Sequence, residues 1–301
     1  NNRENFNIEN SRNRTISDQY EPGSTFKVIP LSILLELDLY KPKDIFYCEG
    51  GKFDLKDMYG LRSSRFINDH EPYDTLTLTQ VISNSSNIGV AKFASILPDT
   101  DIYKFSKLFG FGSIHNIDLP LESAGVFAHP KKWNGESKPI ISIGQGITVT
   151  SLQLAMAYAA IANNGYLFKP KIVKKISNNQ NSNDIKYNDK LIRKVLSDST
   201  SIKIKDMLFE VVENGTAKNI KMKSIEIGGK TGTAEKAING KYSDLDYISS
   251  FAAIFPIKRP QYVCIVIIDS PEKGKHWGNE TAAPVVKRTI SKMVVADKIK
   301  I

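Results

Sequence analysis

Glu21-Pro22-Gly23-Ser24-Thr25-Phe26-Lys27 sets a serine three residues ahead of a lysine at what reads as a helix start. A serine hydroxyl is a poor nucleophile at neutral pH and needs a base within hydrogen-bond reach. In a helix beginning at or just before Ser24, positions i and i+3 share a face, so Lys27 stands one turn beyond the serine oxygen. The lysine takes the hydroxyl proton only if burial or neighbouring cations pull its pKa down. By itself S-x-x-K is common, and its alternative reading is an ordinary helix start. Phe26, Ile29, Ile33, Leu34 and Leu37 recur at helical spacing and predict an apolar helix over 24–37. Pro30 falls inside that span and is expected to remove a backbone hydrogen bond and kink the helix.

Two further clusters carry chemistry. Lys230-Thr231-Gly232-Thr233 ends a strand predicted over 224–234, in which alternation sends Lys230 and Gly232 one way and Thr231 and Thr233 the other. Glycine lets a substrate backbone come close, and threonine hydroxyls beside a lysine suit a carboxylate. The alternative is an edge strand ending in small polar residues. Ser83-Asn84-Ser85-Ser86-Asn87 interrupts a helical pattern over 77–97, and predicts a helix–loop–helix joint because these side chains compete for backbone hydrogen bonds.

Around these clusters the chain reads as α+β. Helices are expected over 101–111, 150–164 (capped by Thr150) and 199–213, with a closing helix from Thr281 carrying Pro284 in its first turn. Strands are expected over 247–255 and 261–269, joined by a turn through Pro256 and Pro260. Asp118–Pro139 reads as a connection, and Asn178–Asp189 as a polar surface loop. With 301 residues there is ample chain for a large core. The net charge of +9 is spread along the sequence, which fits a lysine-rich surface or attraction to an anionic envelope better than a nucleic-acid arm. Cys48 and Cys264 give no disulfide framework, with Cys264 expected in the core, and the four histidines lack ligand spacing, so neither metal nor cofactor is expected. No run of about eighteen apolar residues is present.

S-x-x-K, then S-x-N, then K-T-G is the set described for penicillin-binding proteins and serine β-lactamases. Taken with Arg12-Asn13-Arg14, Asp18 to Gly23, Ile117 to Pro120, Ser142 to Gly146 with Thr150, and Ala282 to Val285, the sequence resembles the transpeptidase domain of class B penicillin-binding proteins, most closely the division-specific penicillin-binding protein 3. The resemblance implies the penicillin-binding-protein/β-lactamase fold, an antiparallel sheet flanked by helices (from 1–39 and 201–301) with a helical subdomain roughly over 40–200. It implies Ser24 as acylated nucleophile, Lys27 as general base, Ser85 as proton relay with Lys230, and Asn87 as a substrate and Lys27 contact. Lys230, Thr231 and Thr233 would hold the donor carboxylate, with Gly232 as a further substrate contact and the Ser24 and Thr233 amides as oxyanion hole. The implied reaction is two-step acyl transfer on D-Ala–D-Ala stem peptides, blocked by β-lactams, on the extracytoplasmic face of the inner membrane. Expected partners are a membrane glycosyltransferase and other division proteins.

The sequence departs from the pattern in places. Leu121 and Asn279 stand where glycines are frequent, and His276 and Trp277 are expected beside the carboxylate pocket or on a surface turn. The family's membrane anchor, pedestal and first two sheet strands are expected to precede this chain, which would leave the 261–269 strand without its usual neighbour. A β-lactamase would need a deacylating base; Glu210 with Asn214 has the right letters but comes far downstream on the helix expected over 199–213, and is rejected as that base. A non-catalytic β-lactam sensor or structural subunit is the third reading.

Overall fold

The computed structural model describes residues 12–177, 184–238, 241–272 and 274–299. A 3₁₀ turn over Gly23–Lys27 runs into helix α1 (Val28–Glu36), which is buried from Val28 to Leu35. Pro30 is the third residue of α1, in the first turn, where amides have no intrahelical partner, so the expected interior penalty is absent.

The predicted joint is present: α2 (Leu78–Ser83) and α3 (Asn87–Ser95) flank Asn84 to Ser86. Thr77 and Gln80 form a reciprocal capping box on α2, and Ser86 caps α3 through its Oγ and the Gly89 amide. The next helices are α4 (Asp99–Phe109), α5 (Ser151–Ala162) and α6 (Asp198–Glu213). Thr150 and Gln153 cap α5, and the Gln153 amide also donates to Ser113 O and Ala124 O, tying the predicted connection to this helix.

Strands β1 (Gly228–Ile238), β2 (Lys241–Phe255) and β3 (Tyr262–Asp269) form an antiparallel sheet in the order β3-β2-β1. Here the sequence reading needs correction. β1 starts four residues after the predicted Ser224, and β1 and β2 continue as a ribbon through Glu235 and Lys241 that polar residues had hidden. Phe251 to Phe255 are all buried, so both faces of β2 are covered, whereas a half-buried strand would alternate. Helix α5 packs on β2 and β3, α6 on β1, and α7 (Ala282–Val295) on β2 and β3. Among the described residues β3 pairs only with β2, and Arg14 and Asp18 lie beside its other edge. That edge also keeps Cys264 half-buried, whereas Cys48 is fully buried. Short two-stranded ladders pair Ile45–Tyr47 with Thr75–Thr77 and Lys52–Asp54 with Phe66–Asn68, beside α2 and α3. Part of the predicted 178–189 loop lies outside the described residues; Ile185–Lys186 pairs with Lys175–Ile176.

Candidate active site

The serine turn is clamped from several sides. In a 3₁₀ turn residues i and i+3 eclipse, which stacks Ser24 and Lys27 more directly than an α-turn would. Gly23 adopts φ +53, and its amide donates to Gly144 O at 2.9 Å. Gly144 itself has φ +89, and a Cβ there would overlap the Gly23 carbonyl. Tyr158 Oη, from α5, donates to Thr25 O at 2.9 Å, and Phe26 meets Phe111 edge-on at 5.2 Å. These contacts fix the turn against α5 and the 141–150 segment.

Lys27 is wholly buried, and its Nζ donates to Ser85 O at 2.6 Å, Asn87 Oδ1 at 2.7 Å and Ser85 Oγ at 3.3 Å. All three ammonium donor directions are therefore used. Burial pushes the Lys27 pKa down to about 7, and Asp69 partly opposes this. Lys230 is equally buried; its Nζ donates to Ser85 Oγ at 2.8 Å and to Thr231 O at 3.2 Å. Burial first, then the charge on Lys27, hold Lys230 well below the usual lysine value. Ser85 Oγ thus bridges two amines whose charged forms burial disfavours.

Ser85 occupies the left-handed region at φ +60, a conformation that costs a non-glycine residue about 1 kcal/mol or more. The α2–α3 turn holds it there through Ser85 N–H to Ile82 O and Ser86 N–H to Val81 O. That backbone turn presents both the carbonyl and the hydroxyl of Ser85 to Lys27.

A cleft of about 760 Å³ opens above this cluster. Ser24, Ser85, Asn87, Thr231 and Thr233 line it, while Lys27 and Lys230 lie behind its wall. The predicted residues therefore converge, as the strand alternation implied for Thr231 and Thr233, except Gly232, which is not among the residues lining the cleft. Among the described residues Ser24 Oγ has no hydrogen-bond partner, and Lys27 is turned toward Ser85 and Asn87. Gly232 admits close packing: a Cβ there would meet Ser250 Oγ, Pro22 O and Thr25 Cγ2.

Three contributors were not read from the sequence. Thr216 Oγ1 lies 3.0 Å from Thr231 Oγ1, adding a third threonine hydroxyl on the cleft. Gly278 donates its amide to Thr233 Oγ1 at 3.2 Å. Asp69 accepts from Ser86 Oγ at 2.5 Å and from the Asn87 and Ile88 amides. None sits in a periodic or motif position; only the turns of the fold deliver them. Trp277 lines the cleft and meets His70 at 4.3 Å, while His276 stacks on Tyr247 at 4.2 Å. Leu121 takes φ +65, the conformation that makes glycine frequent at such a turn, and Asn279 accepts from Asn219 Nδ2 through its carbonyl. Glu210 bonds Asn214 on α6 and does not line the cleft.

Residues 1–291 match the family of penicillin binding protein transpeptidase domains. A peptidoglycan D,D-transpeptidase FtsI homolog of Mesostigma viride is 36% identical over 98% of this chain and 52% of its own length. Peptidoglycan D,D-transpeptidase FtsI of Escherichia coli K12 is 30% identical over 91% of this chain and 43% of its own. The chain thus spans about half the length of the curated relatives it matches. Among solved structures, the transpeptidase domain of penicillin-binding protein 3 from Burkholderia pseudomallei superposes with a TM-score of 0.83 at 29% identity, covering 96% of this chain and 82% of that one. Penicillin-binding protein 3 from Mycobacterium tuberculosis, complexed with aztreonam, gives 0.84 at 26% identity, covering 96% and 65%. With the serine–lysine turn, the Ser85–Asn87 joint and the Lys230–Thr233 strand assembled on one cleft, this chain belongs to the penicillin binding protein transpeptidase domain family.

Proposed function

We propose that this chain is the catalytic domain of a serine D,D-transpeptidase that cross-links peptidoglycan during septum formation. The observation that carries this reading is Ser24 at the cleft floor, one turn from a buried lysine whose pKa lies near 7. Lys27 in its neutral form takes the Ser24 Oγ proton as the oxygen attacks the penultimate D-Ala carbonyl carbon. This requires Nζ to turn from Asn87 toward Ser24. The Ser24 and Thr233 amides receive the oxyanion; the Gly23 and Thr233 backbones are close enough that a Gly23 Cβ would lie 2.9 Å from Thr233 O. The C–N bond then breaks as the proton taken by Lys27 passes through Ser85 Oγ, held by Lys230, to the departing D-Ala amine. An acceptor amine attacks the Ser24 ester, forms the new amide, and returns the proton along the same chain of groups.

Thr231, Thr216 and Thr233 suit the terminal carboxylate of the donor. Lys230 supports it from behind the wall, because an anion arriving in the cleft stabilises the protonated amine. A β-lactam presents a ring-borne anion and a strained amide to the same groups, in keeping with aztreonam and ampicillin in the Mycobacterium tuberculosis complexes. Relatives named FtsI and Stage V sporulation protein D support the septal assignment. By the same reasoning the full protein works on the extracytoplasmic membrane face beside a glycosyltransferase; among the described residues no helix is long and apolar enough to cross a membrane.

Fluorescent penicillin tests the reading. A stable adduct is expected on the wild type and none on Ser24→Ala; an adduct that turns over within minutes indicates a β-lactamase, and an unreactive wild type sinks the proposal. Acylation is also expected to rise with pH through about 7, because Lys27 accepts a proton only once it has lost its own. A rate flat from pH 6 to 8 would remove Lys27 from the base role.

A further inference from the structure

Asp69 lies on the segment after Phe66–Asn68, outside every motif, yet its carboxylate reaches the first turn of α3. Its Oδ2 accepts from Ser86 Oγ at 2.5 Å; its Oδ1 accepts from the Asn87 amide at 2.5 Å and the Ile88 amide at 3.0 Å. An anion at that helix end also meets the positive pole of the backbone dipoles. Asn87 is held a second time, by its Nδ2 on Asn68 O at 2.8 Å, the residue next to Asp69. Oδ1 of Asn87 is thereby left to accept from Lys27, and Ser85 is pinned in its left-handed conformation just ahead of the clamped residues.

We propose that Asp69 is a positioning residue: it clamps Ser86, Asn87 and Ile88 so that Ser85 and Asn87 hold the Lys27 amine, and its charge favours the protonated form of that amine. The proposal rests on the reading of Ser24 as nucleophile. The charged and titratable groups around this centre are Lys230 facing Lys27, and Cys48 and Tyr73 facing Asp69. Of these, Lys230 and Asp69 act on opposite sides. Lys230 carries like charge, whereas the Asp69 carboxylate favours the protonated Lys27. Removing that carboxylate therefore lowers the pH at which Lys27 loses its proton. Weakening the clamp also slows acylation, because the amine is no longer delivered in one orientation.

Asp69→Asn keeps the shape and removes the charge. In this variant ¹³Cε-lysine NMR should show the Lys27 midpoint moved down by roughly half a pH unit or more. Fluorescent-penicillin acylation at pH 8 should fall about 10-fold. An unmoved midpoint overturns the proposal even if acylation falls, since a helix cap alone would cause that loss. Should Asp69→Asn fail to fold, Asp69→Glu keeps the charge but displaces it. It must slow acylation while Lys27 titrates near the wild-type midpoint, and a wild-type rate overturns the clamp. The NMR titration does not depend on acylation, so an unreactive wild type would fault the transpeptidase reading and not this one.

Discussion

Lys27→Met will abolish rapid acylation of Ser24 by penicillin, by about 10³-fold or more, while leaving the protein folded. The size follows from the site: Lys27 is the one amine stacked on Ser24 in the serine turn, and Lys230 is already engaged with Ser85 Oγ and Thr231 O. Two terms oppose each other in stability. Methionine leaves Ser85 O and Asn87 Oδ1 without the amine, at about 1–3 kcal/mol for each unsatisfied group. It also removes a lysine whose charged form burial disfavours. The second term depends on pH. The folded-state pKa near 7 lies below that of the unfolded chain, so between those values the unfolded state binds more protons and wild-type stability rises with pH. Stability of Lys27→Met relative to wild type should therefore be highest below pH 7 and decline toward pH 10. Melting curves at pH 6 and pH 9, read alongside acylation rates, check both parts; wild-type acylation in the variant would remove Lys27 from the chemistry.

Gly144→Ala should be the most damaging single-methyl change near the site. At φ +89 alanine is strained, and its Cβ would run into the Gly23 carbonyl, which is backbone and cannot rotate aside. Either the 141–150 segment or the nucleophile turn must move. A loss of about 2–4 kcal/mol is expected, together with at least 10-fold slower acylation because Ser24 shifts with Gly23. Denaturant unfolding and the penicillin reaction measure these directly; a variant with normal stability and normal acylation would mean that the two glycines are not in the contact described.

Much of the site was legible because its chemistry is local in sequence. Ser24 and Lys27 share one turn, Ser85 and Asn87 share one joint, and Lys230 to Thr233 share one strand, so spacing alone orders them within each cluster. Helix positions followed from periodicity and, for α5, from the Thr150 cap. The ribbon through Glu235 and Lys241 was missed because β pairing there is carried by backbone hydrogen bonds between strands, which polar side chains do not advertise.

What the sequence by itself determined is which groups are available: a serine, two lysines, a relay serine and a row of threonines, each on an element of known periodicity. What only the tertiary structure decided is how those groups are charged and aimed. The Lys27 pKa falls because packing removes water from its amine, and Lys230 is held down by its own burial first and then by the charge on Lys27 across Ser85. Asp69 and Thr216 join the site through loop contacts between segments distant in the chain. Burial and through-space charge are properties of assembled volume, and no spacing along one chain encodes them.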